Sequence, residues 1–301
     1  MSVTVKSTPS TKHPFEADRN GLETRRRIAN MASIVLTGLF AIGASIFLLY
    51  LIVFIAGKGA QFINANFFTQ RPKAPGETGG GWATALQGSA ILVGIAILIG
   101  VPLGMAVGIY LSEVGRGQLA SFVRFLVDTL TGIPTIIFGL FIWVLVVQPS
   151  HSFSAIAGGM ALSIIMIPTV ARASEEVLRL VPKELREASA ALGATESRTI
   201  LRVVVPAARS GIVTGIMLAV ARVAGETAPL LVTAGISPFF NQNVLRGPID
   251  SIPARIFNFT LSPYQIERDQ AFSGALVLIV FVVLTSLAVR WATGGFRRHG
   301  R

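Results

Sequence analysis

The stretch ILVGIAILIGVPLGMAVGIYL, Ile91 to Leu111, holds no charged residue. It closes an uncharged run that begins near residue 83. About 20 mostly apolar residues in a helix cross the ~30 Å hydrocarbon core of a bilayer. Lipid offers no hydrogen-bond partners, so such a run must satisfy its own backbone, as a helix does. Five further runs qualify: 33–56, 122–147, 153–171, 210–234 and 271–292. The expected fold class is an all-α membrane protein with six transmembrane helices. Composition agrees: 52% of residues are hydrophobic, 14% are charged and the mean hydropathy is +0.66, where soluble domains carry roughly 25% charged residues.

The net charge of +11 would suit nucleic acid. The charges lie instead in short segments between apolar runs, the pattern of membrane topology, so no nucleic-acid partner is expected. With the N-terminus inside, the segments 1–32, 112–121, 172–209 and 293–301, with the span-end residues Arg124 and Arg290, hold 19 Lys and Arg against 6 outside. The positive-inside rule then places both termini in the cytoplasm, 1–32 and 293–301 being tails around a transmembrane domain at 33–292. The polar start and a first apolar run of about 24 residues do not fit a cleaved signal peptide. The chain has no cysteine, which excludes disulfides and thiolate chemistry. His13, His151 and His299 lie far apart without a carboxylate cluster, so no metal site is expected.

Within the second run, Gly100, Gly104 and Gly108 recur every four residues, which lets helix backbones approach closely, either within the chain or in a homodimer. Pro134 and Pro168 are expected to kink the third and fourth spans. Arg124 and Asp128, one turn apart, are read as a structural pair or as snorkelling side chains.

Residues 172–209 form the longest cytoplasmic segment between spans. Pro182 suits the first turn of a helix. Leu185, Ala188 and Leu192 then recur at helical spacing, and Gly193 suits the C-terminal cap. A second short helix is expected over 197–205, ending before Pro206. Periodicity alone leaves open whether these helices dock a cytoplasmic partner or lie on the lipid interface.

The residues Glu187, Ala188 and Ser189, then Leu192 and Gly193, then Pro206 resemble the EAA loop of binding-protein-dependent ABC importer permeases, with Ser189 in place of the second alanine. That resemblance implies a loop seated in a cleft of an ATP-binding subunit. The stretches TGIPTIIFGLF (131–141), MIPTVARASEEVL (166–178) and GIVTGIMLAVARVAGETAPLLVTA (211–234) further resemble phosphate-specific permeases of the PstA type, over about residues 80–292. The resemblance implies a heterodimer with a related permease, two ATP-binding subunits, an extracytoplasmic phosphate-binding protein and inorganic phosphate as cargo.

No Walker A sequence is present, and none of the five lysines sits in the required glycine context. No cofactor is expected on this chain; ATP and Mg would bind the partner. Neither G-x-S-x-G nor H-E-x-x-H occurs, so an enzyme is not expected.

The fifth run carries Arg222 and Glu226, with Gly225 and Pro229 around them. Arg222 lies about 18 Å into the span, near its middle. A charge there costs about 2.5–3.5 kcal/mol, so both groups should face protein or water. At i and i+4 they would share a helix face. Pro229 lacks the N–H that would bond the Gly225 carbonyl, so a helix break is expected between 225 and 229. Broken helices at that depth offer N–H groups to anions. The expectation is that Arg222 contacts phosphate and Glu226 holds Arg222 when the path is empty; a purely structural ion pair is the competing reading. Arg172 with Glu175 or Glu176 forms a second candidate group, at the inner mouth of the path. The loop near 235–270, with IPARIFNFTLSP as a short interfacial helix, is expected to receive the binding protein. Sulfate or molybdate transport, or a non-transporting scaffold or sensor, are the alternatives.

Overall fold

The computed structural model describes residues 14–297 and contains helices and no strand among them. Two units are distinguished, one ending at Phe54 and the other starting at Ile55. α1 (Pro14–Gly59) supplies the described residues of the first unit and its last turn belongs to the second; it covers the 33–56 apolar segment and begins well before it. Its described side chains are nearly all exposed, including Leu39, Phe40, Phe47 and Tyr50. Such a surface belongs in lipid or against another membrane chain. The outermost tail residues, His13 and His299 among them, lie outside the described residues.

The second unit contains α2 (Ala65–Thr69), α3 (Ala83–Ile109), α4 (Gly117–Gly132), α5 (Thr135–Ile142), the short α6 (Gln148–Ser150) and α7 (Ala155–Arg179). There follow α8 (Lys183–Ala191), α9 (Glu196–Thr199), α10 (Val205–Ala224), α11 (Ala228–Thr233), α12 (Ile252–Thr260) and α13 (Gln265–Arg297). Among the described residues, five helices are long and apolar enough to cross a membrane, or six if the bent pair α4 and α5 counts as one span.

α7 is the central helix. Ser154 starts it by accepting a hydrogen bond from the Ala157 N–H at 3.2 Å, which satisfies one orphan donor of the first turn. Leu162, Met166, Val170 and Leu178 along it are fully buried. α3 lies against it through the glycine series. A Cβ on Gly100 would stand 3.0 Å from the Met166 Cβ, on Gly104 2.7 Å from the Val170 Cβ, and on Gly108 2.6 Å from the Ser174 Cβ. The stripe therefore serves contact within the chain. Replacing Gly104 by Leu should drive α3 off α7, with an overpacking cost of about 1–3 kcal/mol or more. The expected result is a lower amount of folded chain in the membrane, read by immunoblot and by the detergent-solubilised melting temperature.

Two spans are interrupted. The third is broken, not kinked: α4 and α5 meet at 101° around Ile133 and Pro134. Pro134 cannot donate to α4, and its fixed φ starts α5 afresh. Pro168, by contrast, is held inside a continuous α7. The fifth run, 210–234, ends as a helix at Ala224 and resumes at Ala228, the break that Gly225 and Pro229 lead one to expect.

Candidate functional site

The two breaks come together. Arg222, in the last turn of α10, lines a small cleft with Thr131 and Ile133 from the end of α4, Thr135 and Phe138 from α5, and Pro168 and Thr169 from α7. α5 is seated tightly on α11, since a Cβ on Gly139 would lie 2.6 Å from the Pro229 Cα. The Arg222 side of α10 is exposed in this chain, and Glu226, in the gap between α10 and α11, is half-buried.

The expected Arg222–Glu226 pair is not formed: among the described residues no ion pair joins them. The reason is the break itself. The i, i+4 relation puts two side chains on one face only while the helix continues, and here it stops at Ala224. The expectation for the second half-helix also needs correction. α11 has six residues; Pro229 has no N–H, and the amides of Gly225, Glu226 and Leu230 are engaged with Arg222, Val223 and Thr227 carbonyls. Few donors remain there. The helix that opens onto the Arg222 cleft is α5, through Thr135 at its first position. Thr131, Thr135 and Thr169 carry no signal in the sequence beyond Thr135 and Thr169 following the two prolines. Thr131 and Thr169 donate their hydroxyls to carbonyls one turn back, Val127 at 2.9 Å and Ile165 at 3.5 Å.

The second candidate group is brought together and enlarged. Glu175 is buried, with its side chain 2% exposed. Its Oε1 meets Arg179 at 2.6 Å and Arg124 at 2.9 Å. Arg172 lies 3.8 Å from Oε2, beyond hydrogen-bond reach, and 3.4 Å from both Asp128 and Glu176. Arg124 and Asp128 thus pair with α7 and not with each other. Three arginines and three carboxylates form one network across α4 and α7.

The EAA-like loop folds as two helices. α8 begins directly after Pro182. Gly193, at φ +77°, closes it in the left-handed conformation that only glycine adopts without strain, and the Ala194 N–H reaches back to the Ser189 carbonyl at 3.2 Å. Pro206 does not end the second helix. α9 runs through a π-helical turn (Ile200–Val204) into α10, and Pro206 occupies the first turn of α10, where a missing N–H is tolerated. Ser189 and Thr199 share a buried hydrogen bond of 2.8 Å that joins the two limbs. Ser189→Ala should loosen the loop by about 0.5–1.5 kcal/mol, seen as faster amide exchange over 183–200 with the spans unchanged. Glu187, Ala188 and Leu192 are exposed; Leu192 is 89% exposed and Leu180 81%. Leu180, Leu185, Leu192 and Leu201 of this loop face outward, as a docking surface requires.

At the opposite end of the bundle, the 252–263 segment is not a free interfacial helix. Ile252, Pro253, Ala254 and Arg255 of α12 are buried. Arg255 pairs with Asp250, donates to Thr84 Oγ1 at 2.8 Å, and lies over the rings of Trp82 and Phe259. Burial lowers its pKa to about 10, which leaves it charged at neutral pH. Nothing local in the sequence marked Arg255 for burial. Next to it, a cleft of about 810 Å³ is lined by Arg71, Lys73, Phe239, Phe240, Asn258 and Glu267.

A helical bundle with interrupted spans, an arginine at the junction of two of them and an outward-facing helical loop is the plan of a transport subunit. The chain belongs to the family of binding-protein-dependent transport system inner membrane components, which matches residues 100–298, and it is a multi-pass membrane protein. It is 42% identical over 271 residues to the phosphate transport system permease protein PstA of Xylella fastidiosa, covering 89% of this chain and 94% of that one. It is 39% identical over 266 residues to PstA of Yersinia pestis, covering 88% and 90%. Among solved structures, a bacterial alginate ABC transporter in complex with an alginate-bound periplasmic protein matches at a TM-score of 0.59 and 14% identity, covering 92% of this chain and 96% of that one. The MetNI methionine ABC transporter in an inward-facing conformation matches at 0.55 and 20%, covering 71% and 93%. These two likenesses are likenesses of fold.

Proposed function

We propose that this chain is one of two related membrane subunits of an ATP-driven importer of inorganic phosphate, with both termini in the cytoplasm. The observation that carries the reading is Arg222 exposed at the junction of two broken spans. An intramembrane charge left uncovered by its own chain must be met by water or by a partner, as in a path shared between two permease subunits. The PstA relatives supply the cargo, and the chemistry fits it. A guanidinium binds two oxyanion oxygens at once. Thr135 adds a hydroxyl and the start of α5, while Thr131 and Thr169 would rotate away from their backbone carbonyls to join.

Phosphate keeps at least one proton at neutral pH and sulfate keeps none. Glu226, free of Arg222, is an acceptor for that proton, and its charge repels an oxyanion that cannot donate. A site built to bond a substrate hydrogen rejects the analogue lacking it. Glu226→Gln is therefore expected to let sulfate compete with phosphate at least tenfold more effectively, measured as sulfate inhibition of labelled phosphate uptake.

In the cycle, the 183–205 helices seat on the ATP-binding subunit, which holds ATP and Mg. The Arg172–Glu175 network lies at the inner end of the path. The cleft beside Arg255 faces outward, where the phosphate-binding protein unloads. ATP drives transport only if the two bundle states meet phosphate differently. Labelled phosphate uptake in a strain lacking its own importers tests the reading: arsenate should compete and sulfate should not. Uptake inhibited equally by sulfate would move the assignment to a general oxyanion permease.

A further inference from the structure

One side chain fastens the coupling loop to the bundle. Arg186 of α8 forms five hydrogen bonds. Nε donates to Glu113 Oε2 at 2.9 Å and Nη2 to Glu113 Oε1 at 2.8 Å. Nη1 donates to the carbonyls of Val181 at 2.6 Å and Pro182 at 3.3 Å, and Nη2 to that of Leu178 at 3.1 Å. An arginine has five N–H donors, so all are used. Glu113 is 6% exposed on its side chain and receives a further bond from Ser112 Oγ at 3.2 Å. It sits on a π-helical turn, Tyr110–Val114, at the end of α3; such turns often mark functional positions. One guanidinium thereby joins three elements: the end of α7, the start of α8 and the end of α3. The bond to Glu113 also raises the pKa of Arg186 above its ordinary value.

We infer that Arg186 and Glu113 act as a clamp that makes α8 move as one body with α3 and α7. The inference rests on the proposed docking of α8 to an ATP-binding subunit. Without the clamp, α8 keeps the Leu180–Pro182 turn to α7, whose Leu180 and Pro182 are exposed, and the Ser189–Thr199 bond to the α9 limb, and neither ties it to α3. A push on α8 would then be absorbed in that turn. With the clamp, the push reaches α7, which carries Arg172 and Glu175, and α3, which is locked to α7 through Gly100, Gly104 and Gly108. Arg186 and Glu113 are positioning residues, since neither lies on the proposed phosphate path. Lysine is a poor substitute for Arg186, because a point charge with three donors cannot span a carboxylate and three carbonyls together.

The test uses the reconstituted complex with Arg186→Ala, Arg186→Lys and Glu113→Gln. ATP hydrolysis should persist while phosphate accumulated per ATP falls about tenfold for Arg186→Ala, the scale of an ordinary coupling between sites. Glu113→Gln should fall less, and Arg186→Lys should recover part. A second readout does not depend on which anion is carried. The chain has no cysteine, so with cysteine-free partner subunits spin labels at Leu98→Cys on α3 and Glu184→Cys on α8 report only their own separation; both positions are exposed. The distance distribution should be narrow with Arg186 present and broad in Arg186→Ala. Equal widths together with an unchanged transport-to-hydrolysis ratio would overturn the clamp. If the complex accumulates no phosphate at all, the proposed function fails, and the label widths still decide the clamp.

Discussion

Arg222→Gln should abolish phosphate uptake, lowering it at least 100-fold, while the chain still reaches the membrane and co-purifies with its partners. The size follows from the bonds lost. A hydrogen bond to a charged group contributes about 1.5–3 kcal/mol, so a bidentate grip on phosphate is worth about 3–6 kcal/mol, and each 1.4 kcal/mol is tenfold. Assembly should be spared because the Arg222 side chain is exposed and forms no ion pair among the described residues. Its removal orphans no buried carboxylate. Arg222→Lys keeps the charge and loses the fork, so intermediate uptake is expected. Labelled phosphate uptake, normalised to the amount of chain in the membrane, checks this. Uptake within a few-fold of the parent would remove Arg222 from the path.

Glu175→Gln should be the second severe change. Its buried carboxylate neutralises Arg179 and Arg124 at 2.6 and 2.9 Å and ties α4 to α7. Breaking a buried pair costs about 3–5 kcal/mol. The arginine side chains here are 30–53% exposed, and water that screens them cuts the cost to about 1–3 kcal/mol. The expected outcome is a lower melting temperature of the purified complex together with at least tenfold weaker uptake. The geometry also states which exchange can compensate. Arg172 is 3.8 Å from Glu175, so the double reversal of Arg172 and Glu175 should restore little. The reversal of Arg124 and Glu175, which keeps opposite charges at the short contact, should restore more.

What the sequence made legible was local. Apolar run length located the spans, Gly193 the end of α8, and Gly225 with Pro229 the gap after Ala224, because each acts within a turn of its own position. The bend of 101° at Pro134 was not legible, since hydropathy sums residues without direction and a proline in an apolar run reads only as a kink. The partners of the charges were not legible either. Arg124 finds Glu175 across 51 residues and Arg186 finds Glu113 across 73, and nothing in the sequence pairs them. Arg222 and Glu226 do not pair because the helix break set by Gly225 and Pro229 removes the shared helical face that the pairing needs.

The most direct measurement is uptake into proteoliposomes holding this chain, its related permease and the ATP-binding subunits, with phosphate-loaded binding protein on the outer side and ATP on the cytoplasmic side. A phosphate path through Arg222 predicts accumulation that requires ATP, is blocked by arsenate, ignores sulfate and disappears with Arg222→Gln. Accumulation that persists in Arg222→Gln, or its absence from the parent complex, would contradict it.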